Sequence, residues 1–293
     1  MVSVHRSFST PTAAVHLGDC VDVIPQLADA SVDLIFADPP YNIGKKFDGA
    51  PDRWPSAEAY AEWCYQWLEL VIPKLKPTGS LYLMTSTQAM PLLDLWLRDR
   101  LTILSRIIWH YDSSGVQARR YFGSMYEPIL FAVRDPERYT FNTDAVEVEA
   151  RTGAVRKLID YRKDVPTPYS SKKVPGNVWY FSRVRYRMPE YEEHPTQKPE
   201  SLLERIILAS SNPGDLILDP FAGSFTTCAV AERLQRRSIG IDRSESYVKI
   251  GLRRLNIAAE YNGEKLQEPT KNFVRRNGAT SVLNPGQTGL FDE

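Results

Sequence analysis

The residues best suited to chemistry form the tetrapeptide Asp38-Pro39-Pro40-Tyr41, which follows an apolar run, Val32–Ala37, typical of a buried strand. The Asp38 carboxylate and the Pro39 carbonyl can both accept hydrogen bonds from an amino group on a flat heterocycle. Such acceptors favour a tetrahedral nitrogen and free its lone pair to attack a methyl group. The two prolines restrict the backbone, so the acceptors are held in place before a substrate arrives. Tyr41 offers a ring on which a base can stack, worth about 1–3 kcal/mol. The plain alternative is a strand that ends in an Asp-Pro turn.

A second group of candidate residues lies downstream, where Asp219-Pro220-Phe221-Ala222-Gly223-Ser224 separates a predicted strand, 215–218, from a predicted helix that ends near Leu234. Asp242 follows the next predicted strand, 238–241, and in nucleotide-binding α/β units an acid about 20 residues after a glycine turn binds ribose hydroxyls. The turn lacks the glycine pattern of a pyrophosphate cradle. An acid at its start instead suits a positively charged amino-acid group. S-adenosylmethionine therefore fits, although an ordinary strand-to-helix turn is the alternative.

A third acid, Asp19, follows a predicted strand, 13–17, and is followed by Cys20. Asp19 could accept a hydrogen bond from the adenine amino group of the donor. Taken alone, an aspartate in this place is more typical of a turn or of a helix N-cap.

These motifs resemble those of the amino-methylating DNA methyltransferases. The D-P-P-Y tetrapeptide marks that superfamily, and F-A-G-S resembles its donor loop. The order, with the catalytic block first and His194-Pro195-Thr196-Gln197-Lys198-Pro199 just before the donor block, is characteristic of the beta group. The stretches 111–118 and 173–179 resemble the YhdJ-type adenine methyltransferases in particular, and the resemblance covers roughly residues 13–260. One departure is Phe225, which stands where the donor loop of the wider beta group often has a second glycine.

The resemblance implies an α/β fold with a doubly wound, mostly parallel sheet (Rossmann-like, as in S-adenosylmethionine-dependent methyltransferases) and an inserted target-recognition region. It implies site-specific methyl transfer from S-adenosylmethionine to adenine N6 in double-stranded DNA, with the base flipped out of the duplex. Asp rather than Ser before Pro-Pro-Tyr favours adenine over cytosine N4. A cytosine-N4 methyltransferase, and a non-catalytic DNA-binding protein that retains the donor pocket, are the alternatives.

The resemblance also assigns site residues. The catalytic set is Asp38, Pro39, Pro40 and Tyr41. The expected donor contacts are Asp19, Cys20, Asp38, Thr196, Lys198, Asp219, Phe221, Ala222, Gly223, Ser224, Thr226 and Asp242.

The formal net charge is zero, but the charge is distributed unevenly along the chain. Residues 1–97 carry 6 Lys and Arg against 11 Asp and Glu, whereas residues 151–187 carry 10 Lys and Arg against 2 acids. Aromatic residues are interleaved with the basic ones in the second stretch, which favours a surface that contacts phosphates and bases. A solvated loop region is the alternative. The candidate DNA contacts are Arg162, Lys163, Lys172, Lys173, Arg183 and Arg185.

We predict a catalytic part of the methyltransferase domain over 1–134, a target-recognition region over 135–190, a donor-binding part over 191–262 and a flexible tail over 263–293. Ser56 is predicted to cap a helix that ends at Lys76-Pro77-Thr78-Gly79, ahead of a strand over 80–84. Residues 42–55, with several glycines and prolines, predict a mobile loop that closes over the flipped base.

Cys20, Cys64 and Cys228 form no C-x-x-C pair, which disfavours a metal site. Residues 1–12 lack the apolar core of a signal peptide, and no run reaches the ~18 apolar residues of a membrane span. The chain is therefore expected to be cytoplasmic and associated with the nucleoid. Beta-group relatives often form dimers, so a homodimer is a further expectation.

Overall fold

The fold was analysed in a computed structural model. It describes residues 5–48, 50–112, 119–150, 158–162, 164–257, 259–261 and 264–267.

The helices and strands alternate along the chain in the order expected of an α/β protein. The strands are β1 (Arg6–Ser9), β2 (Ala13–Leu17), β3 (Val32–Ala37), β4 (Lys46–Phe47), β5 (Ala50–Pro51), β6 (Leu75–Met84), β7 (Thr102–His110), β8 (Tyr126–Val133), β9 (Val148–Glu149), β10 (Ile159–Asp160), β11 (Thr167–Pro168), β12 (Lys172–Lys173), β13 (Val178–Tyr180), β14 (Leu216–Asp219), β15 (Arg237–Asp242), β16 (Ala259–Tyr261) and β17 (Glu264–Gln267). The helices are α1 (Cys20–Val23), α2 (Ala57–Val71), α3 (Met90–Leu97), α4 (Thr143–Val146), α5 (Glu200–Ser210), α6 (Thr226–Arg233) and α7 (Glu245–Arg254), and short 3₁₀ turns cover Ile24–Gln26 and Ile72–Lys74.

Nine of the described strands form the main sheet, in the order β1-β2-β15-β14-β3-β6-β8-β7-β13. The pairs from β2 through β6 are parallel, and so is the β7–β13 pair, whereas β1 and β8 run against their neighbours. The chain leaves β3 toward β6 on one side and leaves β14 toward β15 on the other. The neighbours β3 and β14 therefore mark the switch point where ligands bind in such sheets, outside the carboxyl ends of the strands.

Helices cover both faces of this sheet, and the alternation of side chains along β3 explains why. Ile35 and Ala37 pack with α2 and α3 on one face, while Leu34 and Phe36 pack with α5 and α6 on the other. Because both faces of β3 are buried, its sequence is a nearly continuous apolar run. The predicted doubly wound, mostly parallel sheet is confirmed.

The helix α2 begins as predicted, with the Ser56 hydroxyl accepting a hydrogen bond from the amide of Ala59 at 3.1 Å. Its apolar stripe includes Trp67, which is completely buried. Burial of such a side chain stabilises the fold by roughly 1.5–3 kcal/mol. The predicted end at 76–79 is wrong, because α2 ends at Val71 and Lys76–Gly79 already belongs to β6.

The predicted target-recognition region, 135–190, contributes a strand to the main sheet. Strand β13 pairs with β7, and Trp179 and Phe181 are buried in the core. Elsewhere in this region the described strands are two-residue pairs, β9 with β12 and β10 with β11. Within the predicted tail, Glu264–Gln267 forms β17 and pairs with β16. Among the described helices, none is both long and apolar enough to cross a membrane.

Candidate active site

The tetrapeptide Asp38–Tyr41 leaves the carboxyl end of β3, at the switch point of the sheet. The Tyr60 hydroxyl on α2 donates a hydrogen bond to the carbonyl of Pro40 at 2.7 Å, which ties the turn to this helix. The Tyr41 amide donates to the buried carboxylate of Asp52 at 3.1 Å. The turn is therefore held from two directions, as a preorganised acceptor site requires.

The Asp38 carboxylate belongs to a largely buried network of four side chains. The Tyr41 hydroxyl lies 2.6 Å from Asp38 Oδ1 and 3.0 Å from Glu127 Oε2. The Lys198 ammonium lies 2.5 Å from Asp38 Oδ2 and 3.6 Å from Glu127 Oε2. Lys198, expected among the donor contacts, is thus paired with the candidate catalytic carboxylate.

Burial and charge act against each other in this network. Burial raises the pKa of Asp38, Glu127 raises it further, and Lys198 opposes the rise. Burial alone would lower the pKa of Lys198, but the two carboxylates raise it above its usual value. Burial and both carboxylates also hold the pKa of Tyr41 well above its usual range. At neutral pH the lysine is therefore an ammonium and the phenol is protonated.

A cavity of about 460 Å³ opens at the carboxyl ends of β3, β14 and β15, and we call it the donor cavity. All twelve expected donor contacts line it, and so do all four catalytic residues. Aromatic side chains form part of its wall: Phe47, Trp54, Trp63 and Phe221. The motif acids thus meet in one space although they are far apart in the sequence.

The turn after β14 is built around Gly223, whose φ of +49° is a left-handed conformation. A β-carbon at this position would lie 2.7 Å from His194 Nε2, so glycine is required by space as well as by backbone angle. The Gly223 amide donates to Asp242 Oδ2 at 2.9 Å, and the Ser244 amide donates to Asp242 Oδ1 at 2.8 Å. The carboxylate at the end of β15 is thereby oriented beside the glycine turn.

Asp219 at the end of β14 is held in the same manner. It accepts from the Thr227 hydroxyl at 2.5 Å and from the Phe221 amide at 3.0 Å. Burial raises the pKa of Asp219 to about 7 and that of Asp242 to about 6. Hydrogen bonds oppose both shifts. The donor cavity therefore holds acids that titrate near neutral pH.

Phe225 occupies the place of the second glycine in the related motif. Its φ is +55°, so this position demands the left-handed backbone that glycine adopts most easily. The ring is completely buried, and added β-carbons at Gly240 and Gly251 would lie 2.6 Å and 2.5 Å from its atoms. The space for the phenylalanine is thus provided by glycines on β15 and α7.

The loop after the tetrapeptide covers the donor cavity. Lys45 donates to the carbonyl of Pro195 at 2.9 Å, and the Ser244 hydroxyl donates to Asp48 at 2.7 Å. Phe47 and Asp48 line the donor cavity. Ile43 and Lys45 of the same loop line a second, adjoining cavity. That the segment 42–55 closes over the flipped base stays a prediction.

A second cavity, of about 330 Å³, adjoins the first, and we call it the target cavity. Tyr41 and Lys198 line both cavities. Trp109, Tyr111 and Glu127 line only the target cavity. The catalytic network thus lies at the boundary between two spaces, each large enough for a planar heterocycle.

The expected DNA contacts fall into two groups. Arg183 lines the target cavity, with its guanidinium carbon 5.1 Å from the centre of the Tyr111 ring. The exposed residues Arg162, Lys172, Lys173 and Arg185 line neither cavity, and Arg162 is paired with Asp160 at 2.8 Å. Lys163 lies outside the described residues.

Glu127 is a member of the catalytic network that our sequence reasoning missed. It stands near the start of β8 as a lone acid ahead of an apolar run, without a motif around it. Its place beside Asp38 arises because β8 inserts next to β6 in the sheet. Within the described part of the chain, no group of three or more His, Cys, Asp or Glu could hold a metal ion.

A family model and two curated proteins match this sequence over most of its length. The model of the N6_N4_Mtase family, described as DNA methylase, matches residues 32–253. DNA adenine methyltransferase YhdJ of Escherichia coli (strain K12) is 55% identical over 279 residues, which cover 94% of this chain and 95% of that protein. Type II methyltransferase M.HpaI of Haemophilus parainfluenzae is 36% identical over 247 residues, covering 84% of this chain and 74% of that protein.

Solved structures share the fold at lower sequence identity. PvuII DNA methyltransferase (cytosine-N4-specific) aligns with a TM-score of 0.65 at 18% identity, covering 88% of this chain and 90% of that one. The M1.HpyAVI–SAM complex aligns with a TM-score of 0.55 at 23% identity, covering 83% of this chain and 99% of that one.

Proposed function

Because this chain belongs to the N6_N4_Mtase family of DNA methylases, we propose that it transfers a methyl group from S-adenosylmethionine to adenine N6 at specific sites in double-stranded DNA. The observation that carries the proposal is the shared boundary of the two cavities. Asp38, Asp219 and Asp242 line the donor cavity, and Asp38 is bonded to Tyr41 and Lys198, which line both cavities. Two reactants held on either side of this network are aligned for a group transfer.

The residues of the donor cavity fit S-adenosylmethionine. Asp242 is oriented to accept from ribose hydroxyls, and Asp19 can accept from the adenine amino group. Asp219 becomes a counter-ion for the ammonium when it ionises. Asp19 also caps α1, with its Oδ1 accepting from Val21 at 3.2 Å, so its carboxylate is already oriented. When bound, S-adenosylmethionine supplies an electrophilic methyl group.

The target cavity fits an adenine that has left the duplex. The adenine amino group is paired inside a duplex, so the base must be flipped out before its N6 can reach Asp38. Tyr41 offers a ring face for stacking, and its hydroxyl is fixed by Asp38 and Glu127. The Pro39 carbonyl supplies the second acceptor for the amino hydrogens. Among the described residues no hydrogen bond to this carbonyl is found, whereas that of Pro40 accepts from Tyr60.

Asp38 has a second task after the transfer, when the nitrogen must lose a proton. Burial and the neighbouring Glu127 raise the pKa of Asp38, which makes its carboxylate a stronger proton acceptor. Lys198 opposes this rise in the pKa and so favours the ionised carboxylate before the transfer. The same carboxylate therefore orients the amine first and accepts its proton afterwards.

Exposed basic residues support contacts to the DNA backbone. Lys172 and Lys173 form β12. Arg185 is two residues from Arg183, and Arg183 lines the target cavity. Phosphate contacts of this kind position the duplex without reading its sequence. We assign these residues, with Arg162 and Lys163, to the DNA surface, within a target-recognition region over 135–190.

The proposed assembly is a homodimer, and the proposed location is the cytoplasm. The leucines Leu92, Leu95 and Leu104 on α3 and β7 are exposed, which supports a homodimer. The proposed substrate is DNA, which supports a location in the cytoplasm, at the nucleoid. Light scattering of the purified chain tests the dimer.

The function is tested by incubating the protein with methyl-labelled donor and duplex DNA, and by identifying the modified nucleoside by mass spectrometry. The label is expected in N6-methyladenine. Recovery of N4-methylcytosine would establish the cytosine alternative, and donor binding without any transfer across diverse DNA would favour a non-catalytic DNA-binding protein.

The catalytic assignment is tested with Asp38→Ala. The transfer rate is expected to fall by about 10²–10⁴-fold, the range for a lost acid–base group. Donor binding is retained in part, because Asp219 and Asp242 remain. The exposed Asp99→Asn variant is the control. A rate near that of the unmodified protein would refute the role of Asp38.

A further inference from the structure

Glu127 contacts the catalytic network but not the donor cavity. Its side chain is 16% exposed and lines the target cavity. It reaches two of the groups that hold Asp38, namely the Tyr41 hydroxyl and the Lys198 ammonium. Glu127 is therefore placed to change what Asp38 is bonded to.

The contacts of the Tyr41 hydroxyl make the two carboxylates competitors. A phenol has one proton, so it donates to one carboxylate at a time. Its oxygen lies 2.6 Å from Asp38 and 3.0 Å from Glu127, both within hydrogen-bond distance. Turning the hydroxyl proton from one carboxylate to the other requires no movement of heavy atoms.

Lys198 is shared in the same way. Its ammonium is 2.5 Å from Asp38 and 3.6 Å from Glu127, and it is almost completely buried. A buried ammonium must keep an anionic partner, because an unpaired charge in the interior is costly. Glu127 supplies that partner if the lysine moves away from Asp38.

A carboxylate that already accepts from a phenol and from an ammonium is a weaker acceptor for an incoming amine. Glu127 can accept from the Tyr41 hydroxyl and the Lys198 ammonium in place of Asp38, so that neither donor is left unpaired.

We propose that Glu127 is a positioning residue, which takes over the Tyr41 hydroxyl and the Lys198 ammonium as the target amine enters, and so frees Asp38 to accept from that amine. The inference rests on the proposed function of the site. No bond is made or broken in the exchange, because only hydrogen-bond partners change.

The exchange has a pH signature. Several titratable or charged groups face Glu127. They are Asp38 and Tyr41, which follow β3, Lys198, which precedes α5, Tyr111, which follows β7, and Lys45, in the loop between β3 and α2. Burial raises the pKa of Asp38, and the negative charge of Glu127 raises it further. Replacing that charge by a neutral amide should therefore lower the pKa of Asp38. The acid limb of the transfer rate should move to lower pH, even though the rate itself falls.

The test compares Glu127→Gln with the control Glu62→Gln, which makes the same chemical change at an exposed site on α2. In Glu127→Gln the single-turnover rate is expected to fall about 10- to 100-fold, as for loss of a hydrogen bond to a charged group. The donor dissociation constant should stay unchanged, and the acid limb should move down. The charge-conserving Glu127→Asp should recover part of the rate.

A measurement without turnover separates this inference from the proposed function. Aspartate labelled with ¹³C at the carboxyl carbon reports the titration of Asp38, whose signal is assigned by its loss in Asp38→Asn. A lower titration midpoint in Glu127→Gln supports the coupling even if the unmodified protein transfers no methyl group to adenine. An unchanged midpoint, a rate equal to that of the unmodified protein, or a joint loss of donor binding and thermal stability would overturn the proposal.

Discussion

Replacing Asp219 by asparagine should make the donor-free protein more stable, and increasingly so as the pH rises. Burial raises the pKa of Asp219 to about 7, well above the value near 3.9 in an unfolded chain. Between these values the unfolded chain releases the proton while the folded protein keeps it. The stability that the protonated group contributes is therefore fully present below about pH 4 and is lost as the pH rises to about 7.

The size of the effect follows from the shift of about three pH units. At 1.36 kcal/mol per unit, the ionisable group costs about 2 kcal/mol at about pH 5.5 and about 4 kcal/mol at about pH 8. The asparagine is neutral throughout and keeps an acceptor for the Phe221 amide, while the Thr227 hydroxyl can accept from the new amide. The stability advantage of Asp219→Asn should therefore grow by about 2 kcal/mol across this range.

Urea denaturation of the donor-free protein at the two pH values measures this difference, with the exposed Asp164→Asn as the control. Calorimetry of donor binding provides the second readout. Donor affinity should rise with pH through about 7 in the unmodified protein, because the ionised Asp219 pairs with the ammonium, and Asp219→Asn should remove that rise. A variant that is less stable at pH 8, or a stability difference that is independent of pH, would refute the reasoning.

Two other variants test the donor turn and the DNA surface. Gly223→Ala should weaken donor binding by about tenfold, because a left-handed alanine costs about 1–2 kcal/mol and its β-carbon meets His194. The control is Gly214→Ala, where φ is +88° but no atom lies within 4 Å of an added β-carbon. This control should be less stable but should bind the donor normally. Calorimetry that gives the same donor affinity for Gly223→Ala and Gly214→Ala would contradict the prediction. The double variant Lys172→Ala/Lys173→Ala should reduce the slope of log affinity against log salt by about 2, measured by fluorescence anisotropy on duplex DNA. If the double variant has the same slope as the unmodified protein and as the control Lys249→Ala, then β12 does not contact DNA.

The elements that carry the motifs could be predicted from the sequence because their signals are local. Strand β3 has the predicted bounds, and β14 and β15 differ from the prediction by one residue at each end. Apolar runs buried on both faces and ended by an acid leave little freedom in where such strands stop. The glycine turn and the order of the two motif blocks then determine which acids share a cavity.

The parts that sequence reasoning did not find depend on contacts between distant segments. Proline and glycine over 76–79 predict a break, yet this segment continues β6, where the register against β3 is irregular and the Gly79 carbonyl accepts from Arg134. Glu127 has no local signal, because its role comes from the insertion of β8 between β6 and β7. The pairing of Lys198 with Asp38 has the same origin.

The fit of Phe225 between Gly240 and Gly251 makes these three positions one packing unit. A relative that restores glycine at the first position leaves a void the size of an aromatic ring, and it must fill that void with larger side chains on β15 and α7. A relative that keeps the phenylalanine cannot accept even alanine at the other two. The identity of the residue in this turn should therefore sort the family into lineages, and an exchange of the loop alone between lineages should fail unless its two distant partners are transferred with it.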